Sequence, residues 1–328
     1  MQVIVEVDRS GFVESQHLGA VAVADADGTV VAAAGDPELP IYLRSCAKPL
    51  QALAVLGLGV DRELGLGALA LAGAAGSHAG EPEHVASARK VLAAAGLDET
   101  ALRCPPALPT NAEARKAVDA PAPIYHNCSG KHAYMLAGAV VRGWEIERYT
   151  EPEHPLQAVV SDTIADFAGA AIEHVGVDGC GVPVHALPLR ALATAYARIG
   201  ERAAAGEGPE AALVEAARGH PVMIAGTGGL DTVLLEVTGG RLLSKAGAEG
   251  ASAAVNLETC QGVAVKVLDG AHRARGPALL AALTALGWLG DEELEALLPV
   301  ASSPVLGGGE EVGTVRPATI ELRAPESE

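Results

Sequence analysis

The chain has 328 residues, of which 49% are apolar, 3% aromatic and 20% charged. This length and apolar content suffice for one large core or two modest ones, which excludes a disordered chain. The formal net charge of -18 disfavours nucleic acids and anionic membranes as partners, because binding to phosphates requires cation-rich surfaces.

The N-terminus and the cysteines indicate an intracellular protein. Residues 1–8 lack a basic region and a long apolar stretch, so we expect no signal peptide. The longest apolar stretch, Leu64–Ala75, is shorter than the roughly 20 residues that a membrane-spanning helix needs. The five cysteines are widely spaced and odd in number, which disfavours a secreted disulfide scaffold. We therefore expect a cytoplasmic protein.

The predicted elements begin with strands. Valine-rich residues 2–8 and 18–34 predict β-strands, and the Asp27-Gly28 pair within the second run predicts a tight hairpin turn. From Ser45 to about Gly57, apolar residues recur at helical spacing and predict a helix. Alanine-rich stretches predict further helices at about 83–95, 131–141, 155–174 and 209–218.

Beyond His220 the chain returns to strand patterns. The predicted strands are Val222–Ala225, Val233–Val237, Arg241–Lys245, Ala251–Leu257 and Gly262–Leu268. A helix from Pro277 to Leu289 and a closing strand from Thr314 to Arg323 follow.

Strands at both ends of a helical middle predict an α+β fold, in which an antiparallel sheet is flanked by helices and has a helical lobe beside it. We expect a single catalytic unit over residues 1–328. Its sheet would come from about 1–42 and 220–328, and its lobe from about 43–219. The cleft between sheet and lobe is the expected place for a site.

Residues Arg44–Pro49 contain a Ser-x-x-Lys arrangement. At this spacing Ser45 and Lys48 lie on one face of a first helical turn, so the amine can reach the hydroxyl. Lysine can take the proton of serine only if burial or a neighbouring cation, here Arg44, lowers its pKa. The alternative is that Ser45 caps the helix and Lys48 is solvated. Only six lysines accompany seventeen arginines, which weakens the explanation of Lys48 as ordinary surface charge.

Two further strings place polar side chains beside glycines. Gly76–Glu81 follows an apolar segment, and its glycines let the backbone turn and present Ser77 and His78 to a cleft. An ordinary turn before the next helix is the alternative. Ser244–Gly250 ends a predicted strand, where Lys245 would project from the sheet while small residues leave room for a substrate against backbone amides. A hairpin turn with a surface lysine is the alternative there.

Cysteines in His126–His132 and Asp178–Pro183 are of the residue type that binds zinc. Two thiolates with a histidine or another nitrogen could complete a tetrahedral zinc site. Free cysteines are also often simply buried, so their spacing alone leaves both interpretations open.

Taken together, these strings resemble the L-asparaginase II family, the Rhizobium-type class. Each string is common by itself, but the ordered set is specific. The strings occur in the order of the family, as Arg44–Pro49, Gly76–His78, Cys128–His132, Asp178–Pro183 and Lys245–Gly250.

The resemblance implies a fold like that of the serine β-lactamases and penicillin-binding proteins, and a homodimer. It implies that two serine-lysine pairs surround one substrate, Ser45 with Lys48 and Ser77 with Lys245. It further implies a zinc ion with water as its fourth ligand, held by Cys128, Lys131 and Cys180.

The implied activity is hydrolysis of L-asparagine to L-aspartate and ammonia. We expect Ser45 to attack the carboxamide with Lys48 as base, while the amides of Ser45 and Ala248 stabilise the oxyanion. Ser77 and Lys245 would relay protons, although the two serines could exchange roles. The residues expected to contact the substrate are Arg44, His78, Glu81, His132, Asp178, Gly247 and Ala248.

Three alternative functions stay open at this point. A glutaminase, or another amidohydrolase of small amides, would use the same residues on a different substrate. A zinc-dependent amidase would attack with a metal-activated water instead of a serine. A non-catalytic protein that binds amino acids would hold the ligand without releasing ammonia.

Overall fold

The computed structural model describes residues 1–324. The strands are β1 (Gln2–Arg9), β2 (Phe12–Ala24), β3 (Val30–Ala34), β4 (Pro40–Tyr42), β5 (His174–Val177), β6 (Pro183–Pro188), β7 (Leu242–Ala246), β8 (Ala251–Asn256), β9 (Gln261–Val267), β10 (Ser303–Gly307) and β11 (Glu310–Pro317). The helices are α1 (Lys48–Leu56), α2 (Val60–Leu64), α3 (Ala68–Ala75), α4 (Pro82–Ala94), α5 (Ala112–Lys116), α6 (Ser129–Val141), α7 (Pro155–Ala168), α8 (Leu189–Ala203), α9 (Pro209–Gly219), α10 (Val222–Ala225), α11 (Leu230–Val237), α12 (His272–Ala285) and α13 (Asp291–Ala301). Among the residues described, no helix has the length and apolar character needed to cross a bilayer.

Eight strands form one antiparallel sheet in the order β10-β11-β1-β2-β9-β8-β7, with β3 paired to the second half of β2. The predicted turn joins β2 to β3: Asp25 N–H donates to Thr29 O at 3.0 Å, and Gly28 has a φ of 95°. A smaller antiparallel sheet has the order β4-β6-β5. The predicted α+β class, with an antiparallel sheet flanked by helices, is therefore confirmed.

Alternate residues of the large sheet face two different cores. Ala22 of β2 belongs to the core that contains α8, whereas its neighbour Val23 belongs to the core that contains α12. This period of two is expected for a strand that is covered on both faces. Helix α8 lies close to β9 because Gly262 has no side chain, since a Cβ there would lie 2.0 Å from Ala193 O. The sheet is thus enclosed between helical layers.

The core on the α8 side continues into the helices α1, α3, α4, α6 and α7. The turn before α1 contacts the sheet, because Cys46 Sγ donates to Lys245 O of β7 at 3.1 Å. Lys48, the first residue of α1, contacts Ser77 just beyond the end of α3. The division into sheet and lobe at the expected boundaries stays a prediction.

Two of the predicted strands are helices, so the strand prediction was wrong there. Val222–Ala225 forms α10, and Val233–Val237 lies within α11. Their β-branched and aliphatic composition is typical of strands, but tertiary contacts override this preference. Thr232 is buried and donates its hydroxyl to Pro221 O at 3.0 Å, which fixes α11 against the segment that precedes it.

Several other elements end or begin at residues that differ from the prediction. The helix predicted over 155–174 ends at Ala168, because Gly169 adopts a φ of 59° at its C-cap. Helix α12 begins at His272, before Pro277, and β11 ends at Pro317 instead of Arg323. Helices α8 and α13 have no counterpart among the predicted elements.

Candidate active site

Lys48 places its amine among three oxygen atoms inside the protein. The residue is 1% exposed. Its Nζ lies 2.8 Å from Gly76 O, 2.9 Å from Ser77 Oγ and 3.0 Å from Asn127 O. The two carbonyls can only accept hydrogen bonds. A neutral amine therefore donates its two hydrogens to these carbonyls, and its lone pair faces the hydroxyl of Ser77.

Burial lowers the pKa of Lys48 to about 8, because an ammonium loses hydration in the interior. The charges of Lys131 and Lys245 contribute to this lowered pKa, while Cys128 and Cys180 oppose it. From the sequence, Arg44 was expected to be the cation that lowers the pKa of Lys48. Arg44 instead donates from Nε to Asp178 Oδ1 at 2.9 Å. A substantial share of Lys48 is consequently neutral in mildly alkaline solution.

Ser77 is held rigidly by the segment that contains α10. Its N–H donates to Ile224 O at 2.8 Å. At the preceding residue, Gly76, a Cβ would lie 2.0 Å from Met223 O, so only glycine fits. The predicted need for glycine beside Ser77 thus has a specific cause, which is the close approach of two backbones.

Ser45 lies in a 3₁₀ turn, Arg44–Ala47, that precedes α1. The side chain of Ser45 is half-buried, and within residues 1–324 its hydroxyl and its amide form no hydrogen bond. The expected contact between Ser45 and Lys48 is replaced by the contact between Lys48 and Ser77. The reason is that the two carbonyls beside Ser77 draw the long lysine side chain away from its own turn.

Arg44, which opens this turn, has a φ of 49°. A residue with a Cβ rarely adopts this left-handed conformation, and such strain is typical of functional sites. Besides its bond to Asp178, the guanidinium lies 4.0 Å from Glu249 Oε1. Two of the residues expected to contact substrate, Arg44 and Asp178, therefore contact each other, and Arg44 directly precedes Ser45.

The side chain of Lys245, on β7, is buried. The residue is 1% exposed, and its Nζ donates to Ala246 O at 2.8 Å and lies 3.5 Å from Asp231 Oδ2. Among the described residues, Lys245 therefore contacts Ala246 and Asp231 instead of its expected partner, Ser77. The thiol of Cys46 donates to Lys245 O at 3.1 Å, which ties the 3₁₀ turn of Ser45 to β7.

The loop after β7 supplies a free backbone amide. Gly247 N–H donates to Ala251 O at 2.8 Å, whereas Ala248 N–H has no partner among residues 1–324. A Cβ on Gly247 would lie 3.0 Å from Cys46 Sγ, so this loop packs directly against the turn that carries Ser45. The unbonded amides of Ser45 and Ala248 thus lie on segments that pack against each other.

The other residues expected to contact substrate are largely occupied by the protein. His78 is 2% exposed; its Nδ1 accepts from Gly80 N–H at 3.1 Å, and its Nε2 donates to Ser129 Oγ at 2.7 Å. Burial lowers the pKa of His78 to about 3, so the ring is neutral. Glu81 accepts from Thr227 N–H at 2.8 Å and from the Thr227 hydroxyl at 2.7 Å. Their substrate role stays a prediction.

His132 leaves one buried ring nitrogen without a hydrogen-bond partner among the described residues. Its Nδ1 lies 2.6 Å from Tyr149 OH, which also accepts from Arg103 N–H at 3.0 Å. A hydroxyl has one hydrogen and two lone pairs, so this contact fits either tautomer of a neutral ring. The other ring nitrogen is Nε2, which is the unpartnered one.

Cys128, Lys131 and Cys180 form a buried group beside Lys48. The interaction between the two thiols is the largest cause that lowers the pKa of Cys128 well below its usual value and raises that of Cys180. Lys131 Nζ lies 3.1 Å from Cys180 Sγ. Burial alone would lower the pKa of Lys131, but the charge of Cys128, with contributions from Cys180 and Asp178, raises it above its usual value.

This group suits zinc in its donor types, since zinc binds thiolates and nitrogen. In the part of the chain that the structure describes, no three His, Cys, Asp or Glu side chains converge as a metal group. The third protein ligand would therefore have to be the amine of Lys131, which must lose its proton to bind.

A family model described as L-asparaginase II matches residues 5–317. The chain belongs to the L-asparaginase II family. No curated protein matches it. Among solved structures, this L-asparaginase II family member is similar to a β-lactamase from Mycobacterium bovis, with 16% identity, a TM-score of 0.35, and coverage of 86% of this chain and 92% of that chain. A similarity of this size does not decide the fold, which rests on the sheet and helices themselves.

Sequence reasoning missed two participants in this L-asparaginase II site. Asn127 contributes a backbone carbonyl to Lys48, and no side-chain pattern can reveal such a role. Asp231 contributes a buried carboxylate beside Lys245. Its position directly after Gly228-Gly229-Leu230 is a helix-start signal that could have placed it in a first turn.

Proposed function

We propose that this family member hydrolyses L-asparagine to L-aspartate and ammonia by acyl transfer to a serine. The family supports an asparaginase-type amidohydrolase. The single observation that carries the serine-lysine mechanism is the buried amine of Lys48, 2.9 Å from the hydroxyl of Ser77 and fixed by two carbonyls. A lysine desolvated in this manner can serve as a base near neutral pH.

In this proposal Ser45 is the nucleophile and Ser77 carries protons to and from Lys48. The amide of Ser45 is unbonded among the described residues, whereas the amide of Ser77 is already bound to Ile224 O. A nucleophile's own amide is a natural oxyanion donor, which favours Ser45 for attack. The contact of Ser77 with Lys48 favours Ser77 for proton transfer.

The first half-reaction forms an ester and releases ammonia. Ser45 Oγ bonds to the carboxamide carbon, and the serine proton passes through Ser77 to Lys48. The tetrahedral oxyanion accepts from the amides of Ser45 and Ala248. The carbon–nitrogen bond then breaks, and the leaving amine takes the proton back to depart as ammonia.

The second half-reaction reverses these roles with water. Lys48 accepts a proton of water through Ser77 while the water oxygen bonds to the ester carbon. The ester bond to Ser45 breaks, the serine recovers its proton, and aspartate leaves. Lys245, close enough to lower the pKa of Lys48, would help to keep that amine able to accept protons.

Zinc belongs to the proposal as a bound ion held by Cys128, Lys131 and Cys180 with a water. When bound, it would supply a positive charge that organises the site and attracts the substrate. Metal analysis of the purified protein should find about one zinc per protomer. The Cys128→Ser variant should hold much less. Loss of zinc without loss of ammonia release would restrict its role to structure.

Ammonia release from L-asparagine tests the activity directly. The wild type should release ammonia, Ser45→Ala and Ser77→Ala should each lose most of the rate, and a mass increase on the peptide with Ser45 should mark the acyl-enzyme. Acylation of the peptide with Ser77 would instead exchange the two serines. Activity that survives in Ser45→Ala but vanishes with a chelator would favour a zinc-dependent amidase.

Other substrates and the assembly need separate measurements. Faster hydrolysis of L-glutamine or of other small amides than of L-asparagine would change the assigned substrate. Asparagine binding without ammonia release would indicate a non-catalytic protein. The homodimer that the family implies predicts twice the 33.0 kDa chain mass in light scattering, and the expected cytoplasmic location stays a prediction.

A further inference from the structure

Asp231 binds three consecutive residues at the end of β7. It lies in the first turn of α11 and is 3% exposed. One carboxylate oxygen accepts from the Ser244 hydroxyl at 2.6 Å, and the other accepts from Ala246 N–H at 2.9 Å. These residues flank Lys245, whose ammonium lies 3.5 Å from the second oxygen.

The surroundings of Lys245 make this carboxylate important. The side chains of Lys245 and Asp231 are each 2% exposed, so neither charge is stabilised by bulk water. The turn that leads into Lys48 of α1 contacts this strand end, because the thiol of Cys46 donates to Lys245 O at 3.1 Å. From α12, Arg275 donates to Gly247 O at 3.1 Å. Asp231 therefore supplies negative charge at a place where β7 and α12 supply positive charge.

The same carboxylate also fixes the backbone that leads to the oxyanion site. Its bond to Ala246 N–H lies two residues before Ala248, whose amide is unbonded among the described residues. Movement of the end of β7 would displace both the Lys245 ammonium and this amide. Displacements of about 1 Å can cost about 100-fold in rate.

We infer that Asp231 is a positioning residue that holds the amine of Lys245 and fixes the strand end that leads to the Ala248 amide. The inference rests on the proposed function, in which both groups take part in the reaction. It assigns to α11 a role in catalysis without contact to the substrate.

A double-mutant cycle tests this inference. Asp231→Asn preserves shape and removes the charge, so kcat for L-asparagine should fall at least tenfold while KM changes less than threefold. Lys245→Met should lower both kcat and Tm, because it leaves a buried carboxylate unpaired. Adding Asp231→Asn to Lys245→Met should lower kcat no further and should raise Tm by at least about 2 °C.

Thr232→Val is the matched control. It removes a neighbouring buried hydrogen bond, from Thr232 to Pro221 O, and its effect on Tm should simply add to that of Lys245→Met. If the effects of Asp231→Asn and Lys245→Met also add, in Tm and in kcat, the inference is wrong. A wild type that releases no ammonia would refute the proposed function instead, while the Tm cycle would still decide whether Asp231 and Lys245 act as a pair.

Discussion

The rate of asparagine hydrolysis should rise between pH 7 and pH 9, because Lys48 must be neutral to accept a proton. Burial lowers its pKa to about 8. With this pKa, about 9% of the amine is neutral at pH 7 and about 90% at pH 9. We therefore expect kcat/KM to increase about tenfold over this range.

Replacement of the neighbouring cation, Lys245, tests this pH dependence. The charge of Lys245 disfavours the protonated form of Lys48 and lowers its pKa. The Lys245→Met variant lacks that charge, so the pKa of Lys48 should rise and the rising limb of the rate curve should move to higher pH. The sign follows from like-charge repulsion, which acts only on the ammonium form.

The assay measures ammonia released from L-asparagine well below KM, from pH 6 to pH 10 at constant ionic strength. The amino group of the substrate also titrates in this region, so wild type and Lys245→Met are compared with the same substrate. A rate that is independent of pH between 7 and 9 would refute the role of Lys48 as base. A limb that moves to lower pH in Lys245→Met would refute the proposed interaction between the two lysines.

Lys48→Met should lower kcat by a factor of about 10² to 10⁴, measured by ammonia release, whereas Lys90→Met on the exposed face of α4 should leave it unchanged. Gly76→Ala should lower the free energy of unfolding by about 1–3 kcal/mol in urea titrations, because the added Cβ meets a carbonyl oxygen at 2.0 Å; Gly67→Ala, with no atom within 4 Å, should not. Tyr149→Phe should cost about 1–3 kcal/mol in the same titrations, because its hydroxyl bonds a buried histidine and a backbone amide.

Each of these outcomes has a clear contrary result. If Lys48→Met retains more than about a tenth of the rate, another group is the base. Equal stability of Gly76→Ala and Gly67→Ala would mean that the two backbones separate without cost. An unchanged unfolding curve for Tyr149→Phe would mean that water replaces its hydroxyl.

The fold class and the family could be predicted from the sequence because they depend on local patterns and on an ordered set of strings. Asp27-Gly28 between valine-rich runs indicated the hairpin that joins β2 to β3. The ordered strings from Arg44 to Gly250 indicated the family that the family model confirms. Burial of Lys48 also agrees with its expected departure from ordinary surface charge.

The pairing within the site could not be predicted in the same manner. Spacing shows that Ser45 and Lys48 share a face, but it cannot show that backbone carbonyls of Gly76 and Asn127 draw the amine elsewhere. Such acceptors carry no side-chain signal. The position of Asp231 could not be predicted because its helix has the aliphatic composition of a strand. Only its contacts with β7 show that it belongs to the site.

The scarcity of lysine has a practical consequence for chemical modification. Three of the six lysines, Lys48, Lys131 and Lys245, are buried in the candidate site, whereas Lys90 and Lys116 are exposed on α4 and α5. Reagents that couple polymers or solid supports to amines should therefore attach mainly to these two helices. Conjugation of this kind would leave the interior amines intact.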